Sequence, residues 1–363
     1  MSLTIDLEKQ DYLPGETVKG NLTVVLDKAI KARKIEVKLE GKEYTAMKQE
    51  SVQTRSTWDL TTPAIPRGTE RESSTLQSES VIVDAAIDAW AASGVETLGP
   101  STETYPFEFL LPANAIPSVA SSLEYKIPER AAKKGIKHTI PFMLPGSIQY
   151  NVLAKIDVPR AIDPKAQAAV NVNLPPREDV VARVLGARLS IGKGNIHVEA
   201  SVDKNVFTPG ETITGNVMFR KNPSEKVRAV EIALKFAIMD MVQGQADTFE
   251  QACDLITFPI TSNTNDFTSN FALESFPDGP FSVHGMLVKI MWFVDIKVDL
   301  ARKIDKHARI PLHAIRLAEN AATSMASETS DIEWIDVNVP VSGGPNARES
   351  IIGFEPLYKK YDV

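Results

Sequence analysis

The chain has 363 residues, 43% of them apolar and 24% charged, with a net charge of −7. That length exceeds what one hydrophobic core supports and predicts about two domains. The acidic balance argues against non-specific nucleic-acid binding, which needs a basic face, and the single cysteine, Cys253, rules out an intrachain disulfide or a thiolate metal cluster.

Nothing in Met1–Lys9 has the basic-then-apolar layout of a secretory leader, and no uncharged apolar run approaches the ~18 residues of a membrane span. The longest candidate, Val283–Leu300, contains Lys289, Asp295, Lys297 and Asp299 and reads as a strand. A reducing cytoplasm is the expected location.

Period-two alternation opens the chain. Leu3, Ile5 and Leu7 share one face, a polar corner follows, and Val18, Leu22 and Val24 resume the pattern. Pro14-Gly15 in the corner suits a type II turn, with proline fixing φ and glycine taking φ > 0. Gly20, inside a strand pattern, predicts a bulge or a close backbone approach. Ile35, Val37 and Leu39 form the next strand. Thr45–Pro100 begins rich in Ser, Thr, Arg and Glu, as an exposed or disordered loop would. In Val81–Ser93, residues Ile82, Ala85, Ala86 and Ala89 and residues Val83, Ile87 and Trp90 recur at helical spacing, with Gly94 as C-cap. Such a helix predicts packing on the sandwich or use against a membrane or partner. A second short helix is predicted at Glu129–Lys134, stopped by Gly135. A linker is placed at residues 175–186, beginning with Pro175-Pro176. Leu189 and Ile191, the glycine turn 192–195 and Ile196, Val198, Ala200 and Val202 make a hairpin. Val230, Ile232 and Leu234 form a later strand, and the last domain strand ends at Ile315. Ala318–Ser330 is small and polar and predicts a mobile segment.

Much of this pattern is written twice. Pro14-Gly15-Glu16-Thr17-Val18-Lys19-Gly20-Asn21 returns at an offset of 195 as Pro209-Gly210-Glu211-Thr212-Ile213-Thr214-Gly215-Asn216. Between Leu7–Leu39 and Val202–Leu234, 11 of 33 positions are identical. A second echo, at offset 142, pairs Tyr150, Val152, Lys155, Asp157 and Arg160 with Trp292, Val294, Lys297, Asp299 and Arg302. The fall in offset, 195 − 142, gives the first copy 53 extra residues. Many short strands between Gly/Pro turns indicate antiparallel sandwiches. The fold class is therefore all-β: two tandem immunoglobulin-like sandwich lobes, with short helices in inserts of the first. The expected domains are 1–174 with inserts at about 45–100 and 119–145, the linker 175–186, a second lobe at 187–315 and an acidic tail at 316–363. That tail holds eight acids and four bases, which is −4 of the −7. Catalytic residues seldom sit symmetrically in both halves of a duplication, so the repeat favours a scaffold over an enzyme.

The sequence resembles the arrestin family, in its broad arrestin-domain branch, with a distant likeness to the arrestin-like retromer subunit. Tyr12–Gly20 resembles the opening of the family's first domain, and Phe107-Glu108-Phe109-Leu110-Leu111-Pro112 with Ile116-Pro117-Ser118 resembles its mid-domain strand and proline turn. Gly146–Pro159 is similar to the strand that follows, and Ile196–Val202, Phe207–Glu211 and Asn222–Val227 resemble the second-domain opening. The resemblance covers about Leu3–Ile315. It implies two curved lobes joined by a short hinge and a cytosolic adaptor or scaffold that binds protein partners through sheet edges and concave surfaces, in trafficking or signalling. The alternative it leaves is a membrane-coat or retromer-like trafficking subunit recruited to anionic membrane. Pro159-Arg160-Ala161-Ile162 does not match the phosphate-sensing strand of receptor arrestins, and Glu355-Pro356-Leu357-Tyr358 has only one proline of the family's ligase-recruiting motif.

Chemistry-bearing residues are sparse. The five histidines (His138, His197, His284, His307 and His313) are scattered with no zinc-site spacing, so no catalytic group, cofactor or metal is expected. Lys126, Arg130, Lys133, Lys134 and Lys137 form a basic run that would dock an anionic surface or an acidic partner, or else make a solvated face. In the tail, Ile332, Trp334, Ile335, Val337 and Val339 mark a strand able to pair with one of the protein's own sheet edges. It would act either as a displaceable, autoinhibitory strand on the first lobe or as a permanent edge strand.

Overall fold

Alternating apolar and polar residues become strand through most of the chain. The structure, a computed structural model, describes residues 1–53, 70–120, 122–123, 133–135, 142–143, 146–325 and 332–339. In chain order come β1 (Ser2–Leu7), β2 (Asp11–Tyr12), β3 (Thr17–Leu26), β4 (Ile30–Gln53), β5 (Glu70–Leu98), β6 (Ser101–Leu110), β7 (Ser122–Leu123) and β8 (Phe142–Met143). β9 (Gly146–Asp157), β10 (Lys165–Val172), β11 (Arg177–Ala182), β12 (Leu185–Ile191), β13 (Ile196–Val202), β14 (Val206–Phe207), β15 (Thr212–Lys221) and β16 (Val227–Val242) follow. The last are β17 (Gln245–Pro259), β18 (Asp266–Glu274), β19 (Val283–His284), β20 (Val288–Leu300), β21 (Lys306–Ala314), β22 (Leu317–Met325) and β23 (Glu333–Val339).

These strands make two sandwiches. The first lobe sets sheet β1-β3-β6 over sheet β2-β10-β9-β4-β5, and the second sets β18-β15-β13-β12-β23 over β14-β21-β20-β16-β17. Along β3 every second residue is buried, and Val18, Leu22, Val24 and Leu26 share one core with Ile35, Val37, Leu39, Val152 and Ile156. Fully burying each such side chain is worth about 1.5–3 kcal/mol, so the inward faces hold each sandwich shut. The Pro-Gly corners are type II turns: Gly15 and Gly210 have φ of 83° and 98°, and Glu16 N and Glu211 N donate to Leu13 O and Thr208 O at 3.1 and 3.0 Å.

Gly20 and Gly215 mark a close approach, not a bulge, since the ladders through them keep register. A Cβ on Gly20 would lie 2.5 Å from Asp6 O and 2.7 Å from Phe107 Cζ. One on Gly215 would lie 2.5 Å from Phe271 Cζ, and the backbone of Ser201 closes the other side.

The helix expected at Val81–Ser93 is corrected: those residues belong to β5. Register shifts opposite Ile35/Glu36 and Gly41/Lys42 insert extra residues into β5. Ile82, Val83, Ala85, Ala89 and Trp90 then all pack on the core, and this 3-to-4 spacing mimics a helix. The first insert is thus largely a lengthened hairpin, β4–β5, where the second lobe has the shorter β16–β17. Of Glu129–Lys134, only Lys133 and Lys134 lie among the described residues; Gly135 takes φ of 79°. Of the segment expected to be mobile, Ala318–Ser330, residues 318–325 are strand, where β22 pairs in parallel with β11, which occupies the linker, and residues 326–330 lie outside the described residues.

Candidate functional site

The duplication gives most first-lobe strands a counterpart in the second lobe. At offset 195, β1, β2 and β3 correspond to β13, β14 and β15; at offset 142, β9 and β10 correspond to β20 and β21. Pairings correspond as well. β2 joins β10 through Asp11↔Asn171 and Tyr12↔Val172, and β14 joins β21 through Val206↔His313 and Phe207↔Ala314.

The lobes differ at the edge of β1. In the second, β13 lies inside its sheet, with β15 on one side and β12 antiparallel on the other, from Leu185↔Val202 to Ile191↔Ile196. In the first lobe, β1 pairs with β3 alone among the described residues, none of which pairs with its other edge. Side-chain burial follows. Val198, Ala200 and Val202 of β13 are fully buried, whereas their counterparts Leu3, Ile5 and Leu7 are only half-buried. β12 also lies against β21. The corresponding space, between β1 and β10, is a groove of about 360 Å³ bordered by Ile5, Leu7, Gln10, Ala168 and Asn171. Ala168 stands where β21 has Ile310, which leaves the groove wall low. The site is therefore a strand edge, unpaired among the described residues, beside a cleft that Ile5, Leu7 and Ala168 share with Asp6, Gln10 and Asn171, and the second lobe shows what fills such a place: an antiparallel strand with Leu185, Ala187, Leu189 and Ile191 pointing inward.

Two residues of the basic run, Lys133 and Lys134, lie among the described residues. Lys126, Arg130 and Lys137 lie outside the described residues. Lys133 is exposed. Lys134 reaches into the second lobe, where its ammonium pairs with the buried Asp254 carboxylate. Asp254 also accepts from Leu255 N at 2.8 Å and Glu274 N at 3.0 Å.

The tail strand adds to the second lobe and not to the first. β23 runs parallel to β12, from Glu333↔Leu185 to Val339↔Ile191. Ile332 precedes it, Ile335 and Val337 are buried, and Val339 packs against the core. Trp334 packs onto Gly186, with the Arg188 guanidinium 4.2 Å from its ring centroid.

Histidine and cysteine sites have structural surroundings. His307 Nδ1 lies 3.1 Å from Asp295 Oδ1, and Lys235 Nζ lies 2.5 Å from Oδ2. Burial opposes charge on Asp295, yet the His307 hydrogen bond and the Lys235 charge hold its carboxyl well below the usual range. Cys253 is buried in the core, and desolvation, helped by Asp254, pushes its thiol well up. Among the described residues, no three His, Cys, Asp or Glu side chains converge as a metal site would require.

Sequence reasoning passed over the residues that join the lobes. Glu43 of β4 is buried, and its carboxylate accepts the consecutive N–H groups of Met286, Leu287 and Val288 at 2.9, 2.7 and 3.0 Å. Thr45 Oγ1 donates to Met241 O at 2.8 Å, and Gln243 N donates to Ser78 Oγ at 2.9 Å. The available signal was parity: Glu43 and Asp240 continue the inward series Val37, Leu39 and Phe236, Ile238, where an acid is out of place unless something meets it.

A family model described as arrestin (or S-antigen), N-terminal domain, matches residues 1–175. No curated protein matches the chain.

Proposed function

Because the chain belongs to the arrestin family through residues 1–175, we propose that it is a non-catalytic adaptor that captures protein partners as an extended strand along β1. The observation that carries this reading is the half-burial of Leu3, Ile5 and Leu7 beside a groove that no described residue fills, at the place the second lobe fills with β12. The captured segment runs antiparallel to Ser2–Leu7. Its backbone continues the ladder, and alternate apolar side chains enter the cleft between β1 and β10. The described residues bordering that cleft include Asp6 and no cation, so the reading favours an unphosphorylated apolar strand.

A peptide with the sequence of residues 184–192, the segment that fills this role in the second lobe, is the direct probe. Its binding to the full chain is expected to shift the amide resonances of Ser2–Leu7 and to weaken at least tenfold in Ile5→Glu. The same substitution is expected to remove partners that copurify with the wild-type chain. Peptide binding that perturbs no β1 amide, or partners retained by a folded Ile5→Glu chain, would reject the reading.

A further inference from the structure

The seam between the lobes holds two buried carboxylates with opposite circumstances. Glu43, from the first lobe, is met by the three N–H groups of 286–288, and Gly285 beside them leaves room for its Oε2. Asp240, from the second lobe, is 2% exposed, and its Oδ1 accepts no hydrogen bond from any described residue. Gly146, at the start of β9, is what abuts that oxygen. Each lobe thus offers a glycine to the other lobe's acid, but only one acid finds donors.

The groups around Asp240 do not balance its charge. On β17 its ladder partner is Asp247, and on β20 it is Val288. From the first lobe come Glu43 and Thr45 on β4 and Gly146 on β9, and the Thr45 hydroxyl is already given to Met241 O. Lys289 follows Val288 on the opposite face of β20, with His284 of β19 as its ladder partner. An ionised carboxylate buried without a donor costs several kcal/mol, whereas the neutral acid avoids most of that penalty.

We propose that the interlobe seam is a proton-controlled joint, in which Asp240 is neutral while the lobes are docked and its ionisation weakens their contact. The proton comes from and returns to solvent as the seam closes and opens. Burial, and then the charge of Asp247, raises the docked-state pKa to about 7, against 3.8 for an ordinary aspartate. The sign follows from linkage. The docked state holds one more proton between these values, so docking is strongest at acid pH, weakens as pH rises and levels off above about 7. Each pH unit in that window lowers the docking constant about tenfold.

Hydrogen exchange of the full chain tests this at the amides of Met286, Leu287 and Val288, which the seam protects through Glu43. With exchange corrected for its intrinsic pH dependence, their protection is expected to fall about fiftyfold from pH 5 to pH 7. In Asp240→Asn, which mimics the neutral acid, protection is expected to stay level. A wild-type profile that is flat over this range, or an Asp240→Asn profile that falls in parallel, would overturn the proposal. Should Asp240→Asn not fold, the carboxyl carbon shift of Asp240 in the wild-type chain decides: a midpoint near 7 supports the joint, and one below 5 overturns it.

Discussion

Gly146 abuts Asp240 across the seam between the lobes. A Cβ added to the glycine would overlap Asp240 Oδ1 and come within 2.8 Å of Val288 Cγ2 and 2.9 Å of Thr45 Cγ2. Only a residue without a side chain lets the first lobe close here. Gly146→Ala is therefore expected to destabilise the chain by about 1–3 kcal/mol, the usual cost of overpacking. Combining it with Asp240→Ala removes the carboxylate that collides, so the double variant is expected to be more stable than the two single effects predict. Thermal unfolding of the four chains checks this; strict additivity would mean that the collision is relieved elsewhere.

Gly20 and Gly215 make the same prediction once in each lobe. The nearest obstacles are a backbone oxygen of the neighbouring strand and the edge of a core phenylalanine, Phe107 or Phe271. Neither can swing away as a flexible side chain would. Each Gly→Ala is expected to lower the melting temperature of its own lobe by several degrees, at about 1–3 kcal/mol. Amide exchange resolved by residue would show loss of protection in β1, β3 and β6 for Gly20→Ala, and in β13, β15 and β18 for Gly215→Ala.

Asp295 carries a stability term of the opposite pH sense to that of Asp240. Its depressed pKa means that the folded state holds the carboxylate ionised where the unfolded chain would protonate it. That contribution is fully present above the ordinary carboxylate pKa, ~3.9, and is lost as pH falls toward the lower folded value. Asp295→Asn leaves Lys235 without its closest carboxylate and removes the acceptor of His307. Breaking one side of such a buried pair costs about 3–5 kcal/mol near neutrality. The penalty measured by urea unfolding is expected at pH 7 and to shrink as the wild-type chain approaches pH 2.

Most of the architecture was legible because the duplication samples one pattern twice. Tyr12 and Phe207, Gly20 and Gly215, and Leu39 and Leu234 occupy equivalent positions. β5 was misread because period-two logic assumes an unbroken ladder, and bulges there change which parity faces inward. The open edge of β1 was not legible either. Leu3, Ile5 and Leu7 alternate like any half-buried strand, and only comparison with β13 shows that β1 lacks a second neighbour among the described residues. Lys134 read as surface charge because its partner, Asp254, lies 120 residues further along the chain. Sequence shows a side chain's own charge but not the distant group that answers it.

The tail strand remains to be classed as a switch or a fixture, and its register favours a fixture. Seven consecutive pairs join β23 to β12, Ile335 and Val337 reach the core, and Trp334 covers Gly186 beneath Arg188. A displaceable strand that competes with partners for β1 would have to lie on the first lobe, and this one lies on the second. Trp334 is half-buried, so Trp334→Ala is expected to cost about 1–3 kcal/mol, short of the ~3–5 kcal/mol of a fully buried tryptophan. Truncation after Met325 is expected to destabilise the second lobe further while leaving the affinity of β1 for a strand peptide unchanged. Calorimetry and peptide titration on the same truncated chain separate the two roles. Tighter peptide binding with little loss of stability would instead identify the tail beyond Met325 as autoinhibitory.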